Sequence, residues 1–237
     1  MRVRVLVLTG AGVSNESGIP TFRGKDGYWR NFDPVKLATP EAFAREPQLV
    51  WEWYRERRQR IRSAQPNAAH AAIAKLAQRA NEFLLVTQNV DDLHVRAGLG
   101  KEKMVQIHGD IFVTKCSRCD FKRHECEGEG TPKCPECDAL LRPGVVWFGE
   151  QLPWSEVKRV ENYLDRGPCD LVIVAGTTAT FGYIVDWALR ACRNGEDLIE
   201  VNPEETPLSQ FATQLVREPA AIGLPKFVDH FISQTKL

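Results

Sequence analysis

The sequence lacks both a long hydrophobic run and an excess of charge of either sign. Its 237 residues contain 31 Lys and Arg against 31 Asp and Glu, so no overall field attracts nucleic acid or an anionic membrane. No apolar stretch reaches the roughly 18 residues that a membrane-spanning helix needs, and the run at 3–8 is too short for a signal-peptide core. We therefore expect a cytoplasmic monomer without nucleic acid or membrane as a specific partner.

Internal repeats and low-complexity segments are also absent, and short apolar runs instead alternate with helix-like stretches. The predicted strands are 3–8, 83–87, 104–107, 170–175 and 197–201. Helical periodicity is clearest at 40–62, 68–80, 155–165, 184–193 and 224–233. This alternation favours an α/β fold with a doubly wound parallel sheet that is covered on both faces. Residues 24–66 and 112–145 do not fit it, and we expect these insertions to form a second, smaller lobe.

Seven cysteines are present, and in a reducing compartment they are expected to be thiols or metal ligands rather than disulfides. Two Cys-x-x-Cys pairs are separated by fourteen residues: Cys116 with Cys119, and Cys134 with Cys137. Two such pairs can supply four thiolates to one tetrahedral zinc ion, which leaves no open position for catalysis. The spacing predicts one structural zinc, with a redox pair as the alternative. His124 or Cys126 could substitute as a ligand, whereas Cys169 and Cys192 are predicted to be small buried apolar residues.

The first predicted strand runs directly into the sequence Gly10-Ala-Gly-Val-Ser-Asn-Glu-Ser-Gly-Ile-Pro-Thr-Phe-Arg23. A strand that ends in Gly-Ala-Gly is typical of a dinucleotide site, because small residues admit a pyrophosphate and the next helix offers unpaired N–H groups. The segment departs from G-x-G-x-x-G at Ser14 to Ser17, and its continuation is incompatible with a helix. We infer a loop that holds a dinucleotide and also acts on it.

Polar residues follow the strand at 83–87, at the edge where doubly wound sheets bind ligands. Gln88, Asn89 and Asp91 suit a sugar hydroxyl or a carboxamide. The alternative is an ordinary loop in which Asp91 or Asp92 caps the next helix.

A histidine, His108, ends the next predicted strand and is followed by a glycine. Its ordinary pKa lies near working pH, so it is either a general base or a structural histidine. The histidines at 70, 94 and 230 are predicted to be structural or solvated.

Three further segments carry candidate contacts. The segments 176–178 and 202–204 end later strands, which is consistent with contacts to an adenosine ribose. Val145 to Phe148 form an extended run, either an exposed edge that adds a peptide strand or an ordinary buried strand. Tyr54 and Arg57 share one helix face and could bind a carboxylate, although solvated arginines on such a helix are the alternative.

The segments resemble the sirtuin family, and the match extends from Gly10 to about Pro225. It rests on Gly10-Ala-Gly-x-Ser with Ser17-Gly-Ile-Pro-Thr-Phe-Arg23, Thr87-Gln-Asn-Val-Asp91, His108-Gly109, the cysteine pairs and Val146-Trp-Phe-Gly149, in family order. The resemblance implies a Rossmann-like NAD-binding domain (1–33, 67–111 and 147–237) and a small helical and zinc-binding domain (34–66 and 112–146). It also implies NAD-dependent removal of acyl groups from protein lysines, giving nicotinamide and O-acyl-ADP-ribose.

The resemblance further implies roles for individual residues. His108 is the expected general base, with Asn89 and Asp91 beside the nicotinamide. The implied NAD contacts are Gly10, Ala11, Gly12, Ser14, Glu16, Gly18, Pro20, Thr21, Phe22, Arg23, Trp29, Gln88, Asn89, Val90, Asp91, Gly176, Thr177, Thr178, Asn202, Pro203, Glu204 and Ala220. The implied contacts to the acyl-lysine peptide are Tyr54, Arg57, Val146, Trp147, Phe148, Gly149 and Glu150.

Within the family, Tyr54 and Arg57 are similar to the class III branch, which removes succinyl, malonyl and glutaryl groups. A Tyr and Arg pocket satisfies a distal carboxylate, so we expect a preference for these acyl groups with some deacetylation. The segment 176–183 departs from the family pattern, because Gly-Thr-Thr replaces Gly-Thr-Ser and the Val-x-Pro that usually follows is absent. The alternatives are a mono-ADP-ribosyltransferase and a non-catalytic NAD- or zinc-binding module.

Overall fold

The computed structural model describes residues 3–21, 33–125, 128, 130–192 and 198–235. The strands are β1 (Arg4–Thr9), β2 (Glu82–Thr87), β3 (Met104–Gln106), β4 (Gly109–Cys116), β5 (Lys122–His124), β6 (Leu141–Val145), β7 (Leu171–Ala175), β8 (Leu198–Val201) and β9 (Gln214–Val216). The helices are α1 (Gly12–Asn15), α2 (Pro34–Leu37), α3 (Pro40–Arg45), α4 (Pro47–Ser63), α5 (Ala68–Arg79), α6 (Leu93–Arg96), α7 (Trp154–Leu164), α8 (Gly182–Ala191) and α9 (Ala220–Thr235).

The larger sheet is parallel and has the strand order β3-β2-β1-β7-β8-β9. The strands β1 and β7 are buried along their whole length, because α5 and α9 cover one face and α7 and α8 cover the other. The direction of winding reverses between β1 and β7, so their carboxyl ends form the switch point at which such sheets bind ligands. The predicted doubly wound sheet is confirmed.

The two predicted insertions meet in a second hydrophobic cluster. Trp51 and Tyr54 of α4 pack with Ile111, Val145 and Trp147. The strands β5, β4 and β6 form an antiparallel sheet beside this cluster. Because β4 begins at Gly109, this sheet includes residues on both sides of the predicted boundary after 111, and the division into domains stays a prediction.

The structure differs from the predicted elements in several places. The helical stretch 40–62 is divided at Glu46, because Pro47 cannot donate to the preceding turn and begins α4 instead. The last helix begins at Ala220 rather than 224. The strands β4, β5, β6 and β9 were not predicted, and the extended run expected at 145–148 is not a strand, because β6 ends at Val145. Among the described residues, no helix is both long and apolar enough to cross a membrane.

Candidate active site

Gly10 and Gly12 lie where the end of β1 meets the loop after β7. A Cβ at Gly10 would lie 2.7 Å from Thr177 Cβ, and one at Gly12 would lie 2.8 Å from Gly176 Cα. These distances are too short for a side chain. The structural reason for glycine at both positions is thus the packing of two loops, which the sequence argument did not include.

The helix after these glycines, α1, has four residues, a single turn. The amides of Gly12, Val13 and Ser14 donate to backbone carbonyls at 2.8, 3.1 and 3.1 Å. The prediction that this helix offers unpaired N–H groups to a phosphate is therefore wrong for these three. A phosphate bound at this loop would have to use other groups.

The Ser14 side chain is the centre of a buried hydrogen-bond network. Its hydroxyl donates to Asp91 Oδ2 at 2.9 Å and accepts from Asn89 Nδ2 at 3.1 Å. Asp91 Oδ1 accepts from the amide of Leu93, the first residue of α6, whose N-cap residue is Asp92 without a side-chain capping hydrogen bond. Burial raises the pKa of Asp91, while the hydrogen bonds from Leu93 and Ser14 and the charge of Arg57 oppose the rise. The network therefore holds the amide and the carboxyl in a defined arrangement.

Two buried histidines pack next to this network. The His70 ring lies 4.8 Å from the His94 ring, and both are fully buried, so the solvated interpretation is wrong and the structural one is confirmed. His70 Nδ1 lies 3.2 Å from the backbone nitrogen of Asn67 and 3.0 Å from its Oδ1, and His70 Nε2 lies 3.4 Å from Ser14 Oγ. His94 Nε2 lies 3.4 Å from Thr9 Oγ1. His230, in contrast, is exposed on α9.

His108 is the last residue of the turn before β4 and faces both the loop after β2 and α8. Its Nδ1 donates to the Gln88 carbonyl at 3.0 Å, and its Nε2 lies 2.6 Å from Tyr183 Oη. The Phe181 ring packs edge-on against the imidazole at 5.8 Å. Burial lowers the pKa of His108, and the hydrogen bond to Gln88 only partly opposes this. The imidazole is therefore neutral at neutral pH.

The Gln88 side chain carries an unsatisfied polar group at the switch point. Its Oε1 accepts from Thr177 Oγ1 at 3.0 Å, whereas its Nε2 is buried and has no partner within the described chain. A buried donor without a partner costs about 1–3 kcal/mol. A sugar hydroxyl or a phosphate oxygen would satisfy it, so this edge of the sheet fits a nucleotide.

The predicted adenosine-side residues form a neighbouring rim. Asn202 Nδ2 donates to the Thr177 carbonyl at 2.7 Å, while Pro203 and Glu204 are exposed. Thr178 is half-buried and Ala220 is buried at the start of α9. No sequence motif indicated the network beneath them: the buried Glu200 accepts from Arg217 Nη1 at 2.7 Å and also accepts from Ser209 and Thr206, which fixes the loop after β8.

Tyr54 and Arg57 lie on the inner face of α4. The Tyr54 hydroxyl accepts from Trp147 Nε1 at 2.9 Å, and Tyr54 is buried. The Arg57 guanidinium stacks over the Trp53 ring at 4.9 Å and lies 5.7 Å from the Tyr54 ring. Burial lowers the pKa of Arg57, while Tyr54 and Asp91 raise it, so the guanidinium is within electrostatic reach of the Ser14 network. It is only half-buried, and the interpretation as a fully solvated arginine is wrong.

The segment 146–150 is not the freely available edge that the sequence suggested. The amide of Val146 donates to the His108 carbonyl, that of Trp147 to Glu150 and that of Phe148 to the Ala38 carbonyl, all at 2.8 to 2.9 Å. A peptide strand could therefore pair here only through groups other than these amides. Arg142 binds Glu150 through Nη2 at 3.0 Å. Burial raises the pKa of Glu150, but the hydrogen bonds from Arg142 and from the Trp147 amide outweigh burial and leave this pKa below its ordinary value.

The four cysteines of the two pairs form one cluster. Their sulfur atoms all lie within 4.8 Å of one another, and the Sγ distances from Cys116 to Cys137, Cys119 to Cys134 and Cys119 to Cys137 are 3.5, 3.6 and 3.6 Å. Zinc–sulfur bonds of about 2.3 Å give a tetrahedron with an edge of about 3.8 Å. The amides at 118 and 119 point at Cys116 Sγ, as expected for a thiolate ligand. The cluster fits one structural zinc ion.

His124 is not part of the cluster and stacks on Phe112 instead. Cys169 is buried as predicted, whereas Cys192 is only partly buried. Cys126 lies outside the described residues.

The comparisons with known proteins agree with this geometry. The Sir2 family model matches residues 10–181. The chain belongs to the Sir2, or sirtuin, family. It is 47% identical over 231 residues to the NAD-dependent protein deacylase of Aquifex aeolicus, covering 96% of this chain and 95% of the relative. A solved Sir2 homolog–NAD complex has a TM-score of 0.89 and 43% identity, covering 98% of this chain and 90% of that one. A Sir2 homologue mutant in complex with 2′-O-acetyl ADP ribose has a TM-score of 0.89 and 42% identity, covering 99% and 94%.

In this sirtuin, most of the predicted site residues converge on the switch point. Four groups of residues lie around one edge of the sheet: Gly10 to Ser14, Gln88 to Asp91, His108, and Gly176 to Thr178. Glu16 and Gly18 are exposed, and Val90, Pro20 and Thr21 are half-buried. Phe22, Arg23 and Trp29 lie outside the described residues. Tyr183, which lies in the segment that departs from the family pattern, was not predicted as a site residue.

The buried histidines of this sirtuin predict a loss of stability in mild acid. Burial lowers the pKa of His70 to about 4, whereas the unfolded chain binds this proton near pH 6.5, so stability falls as the pH drops from 6.5 towards 4. Between pH 7.5 and 5.5 this residue alone should lower the free energy of unfolding by about 1.4 kcal/mol. Urea denaturation at both pH values measures the change. The variant His70→Gln should show a smaller change, and an equal change in both proteins would contradict the prediction.

Proposed function

We propose that this sirtuin removes acyl groups from the lysine side chains of proteins in an NAD-dependent reaction, with His108 as the general base. The observation that carries the proposal is the hydrogen bond from His108 Nδ1 to the Gln88 carbonyl. Because a carbonyl can only accept, Nδ1 keeps its proton and Nε2 carries the lone pair that a base needs. The names of the curated relatives, NAD-dependent protein deacylases, support the same activity.

The residues of the site have different roles in this reaction. When bound, NAD supplies the ribose that takes over the acyl group as nicotinamide leaves. His108 Nε2 would accept a proton from a ribose hydroxyl as that oxygen bonds to the acyl carbon, and the acyl bond to the lysine nitrogen would break, so that the nitrogen takes up a proton and leaves as free lysine. Asn89 and Asp91, fixed by Ser14, hold the nicotinamide end, and Gln88 Nε2 has a free donor for the sugar or phosphate side. The zinc stabilises the small lobe and takes no part in the chemistry, because four thiolates leave no open position.

Product analysis tests the proposed reaction directly. The protein is incubated with NAD and an acyl-lysine peptide, and the products are identified by mass spectrometry. Deacylation yields nicotinamide and O-acyl-ADP-ribose together with the free lysine. ADP-ribosylated protein without O-acyl-ADP-ribose would instead show a mono-ADP-ribosyltransferase. Binding of NAD without its consumption would show a non-catalytic module.

We further propose that Tyr54 and Arg57 select acyl groups that end in a carboxylate. The guanidinium is held against the rings of Trp53 and Tyr54, and the Tyr54 hydroxyl is oriented by Trp147. A carboxylate can form charge-assisted hydrogen bonds with both groups, whereas an acetyl group offers no opposite charge. The difference is on the order of 1–3 kcal/mol, or a factor of about ten to a hundred in kcat/KM. Succinyl-, malonyl- and glutaryl-lysine are the proposed preferred substrates, with weaker deacetylation.

The variant Arg57→Met tests this preference. The ratio of kcat/KM for succinyl-lysine to that for acetyl-lysine, measured on matched peptides, should fall by about ten- to a hundredfold. Arg55→Met is the matched control, because Arg55 lies on the same helix but stacks over Trp51 and faces Gly130. Its ratio should equal that of the wild type. An unchanged ratio in Arg57→Met would overturn the proposed selectivity.

A further inference from the structure

Tyr183 contacts the proposed base directly. It lies in the first turn of α8, and its hydroxyl oxygen is 2.6 Å from His108 Nε2. The Tyr183 ring is held in place by Phe181, which stacks on it at 5.6 Å, and by Trp187 at 5.1 Å. The contact is therefore made by an oriented side chain rather than by a loose one.

The direction of this hydrogen bond follows from the other side of the imidazole. Nδ1 carries the proton because it faces the Gln88 carbonyl, so Nε2 is the acceptor. Burial raises the pKa of Tyr183, so the phenol keeps its proton and donates it. The lone pair on Nε2 that the reaction needs is thus already engaged in the absence of NAD.

We propose that Tyr183 is a positioning residue for His108: its hydroxyl holds the imidazole in the Nδ1–H tautomer and is exchanged for a ribose hydroxyl when NAD binds. Nε2 has a single lone pair in the ring plane, so it cannot accept fully from both hydroxyls. The exchange preserves the number of hydrogen bonds to the base but requires Tyr183 to give up its own. The inference rests on the proposed role of His108 as general base.

The groups around His108 allow this effect to be measured by titration. The loop after β2 contributes the Gln88 carbonyl, and the start of α8 contributes Phe181 and Tyr183. Within the described chain, no charged side chain adds to the lowering of the His108 pKa. A donor to Nε2 stabilises the neutral imidazole and so lowers its pKa further. Removal of the hydroxyl should therefore raise the pKa.

The test is the variant Tyr183→Phe, which removes one oxygen atom and keeps the ring. NMR titration of the imidazole in the free protein should show the His108 pKa higher by about 0.4–1 unit. The acidic limb of the kcat/KM profile should move by the same amount, because kcat/KM reports the free enzyme. At pH 8, NAD should bind about two- to tenfold more tightly, since no hydrogen bond has to be released. The value of kcat at pH 8 should change by less than about twofold.

Phe181→Leu is the packing control, because Phe181 contacts the same imidazole without a hydrogen bond, and its effect on the His108 pKa should be smaller. An unchanged His108 pKa and NAD affinity in Tyr183→Phe would overturn the inference. A tenfold or larger fall in kcat would also overturn it, because the hydroxyl would then act in the chemical step. If the wild type yields no O-acyl-ADP-ribose, the proposed function fails, yet the imidazole titration and NAD binding still decide whether Tyr183 engages His108.

Discussion

The variant His108→Ala should lose deacylation by about a hundred- to ten-thousandfold in kcat, the range that a positioned general base contributes. The reason is local, because the Gln88 carbonyl keeps the proton on Nδ1, and Nε2 takes the ribose proton once the ribose hydroxyl has replaced Tyr183. Steady-state assays with an acyl-lysine peptide and NAD measure the loss. Isothermal titration calorimetry should show that NAD still binds, since the Ser14 network and the Gln88 side chain do not depend on His108.

The matched control for this variant is His230→Ala. His230 is an exposed histidine on α9, far in sequence from the network, and its replacement should leave kcat unchanged. Substantial deacylation by His108→Ala would contradict the assignment of the base. Loss of both NAD binding and thermal stability would instead point to a structural role, and far-UV circular dichroism separates that outcome from a loss of chemistry.

The variant Cys134→Ala should reduce the zinc content from one ion per chain to nearly none and destabilise the small lobe. The cluster around the metal contains a single fully buried aliphatic side chain, Leu141, with only partly buried neighbours such as Phe121 and Ala139. A core of this size stabilises the cysteine end of the sheet only weakly, whereas the other end packs through Ile111 and Val145 on α4, so we expect the thiolate–zinc bonds to stabilise the cysteine end. Thermal unfolding should begin at a lower temperature, and deacylation should fall because β6 leads into the segment 146–150 beside His108.

Cys192→Ala is the control for this second prediction. Cys192 is partly buried but lies at the end of α8, outside the cluster. Its replacement should leave one zinc ion per chain, which atomic absorption or mass spectrometry of the native protein measures. Retention of zinc and of the wild-type melting curve in Cys134→Ala would contradict the structural role of the metal.

The cysteine cluster and the parallel sheet were predictable because their signals are local or periodic. Two Cys-x-x-Cys pairs specify a tetrahedral site whatever surrounds them, and the four sulfur atoms do converge. The apolar runs of β1 and β7 specify strands buried on both faces. The strand β4 escaped prediction because its antiparallel partner β6 lies about 30 residues away, beyond the cysteine loop.

The hydrogen bonds around Ser14 could not be predicted from the sequence. Its hydroxyl joins His70, Asn89 and Asp91 across separations of 56 to 77 positions, and no spacing in the chain encodes such contacts. The same holds for Tyr183, which is 75 positions from His108. For the glycines at 10 and 12, the sequence showed the residue type but not its structural reason, which is close packing against residues 176 and 177.

The order of residues was enough to predict the parallel sheet, the zinc ligands, the family resemblance and the candidate base. These features depend on periodicity, on ligand spacing and on short motifs, and each of these signals is carried by residues that are close together in the sequence. The groups that surround the base, and the protonation state in which they hold it, became visible only in the folded chain. The reason is that a hydrogen bond or a buried charge depends on distances between side chains brought together by folding, and the order of residues along the chain does not contain those distances.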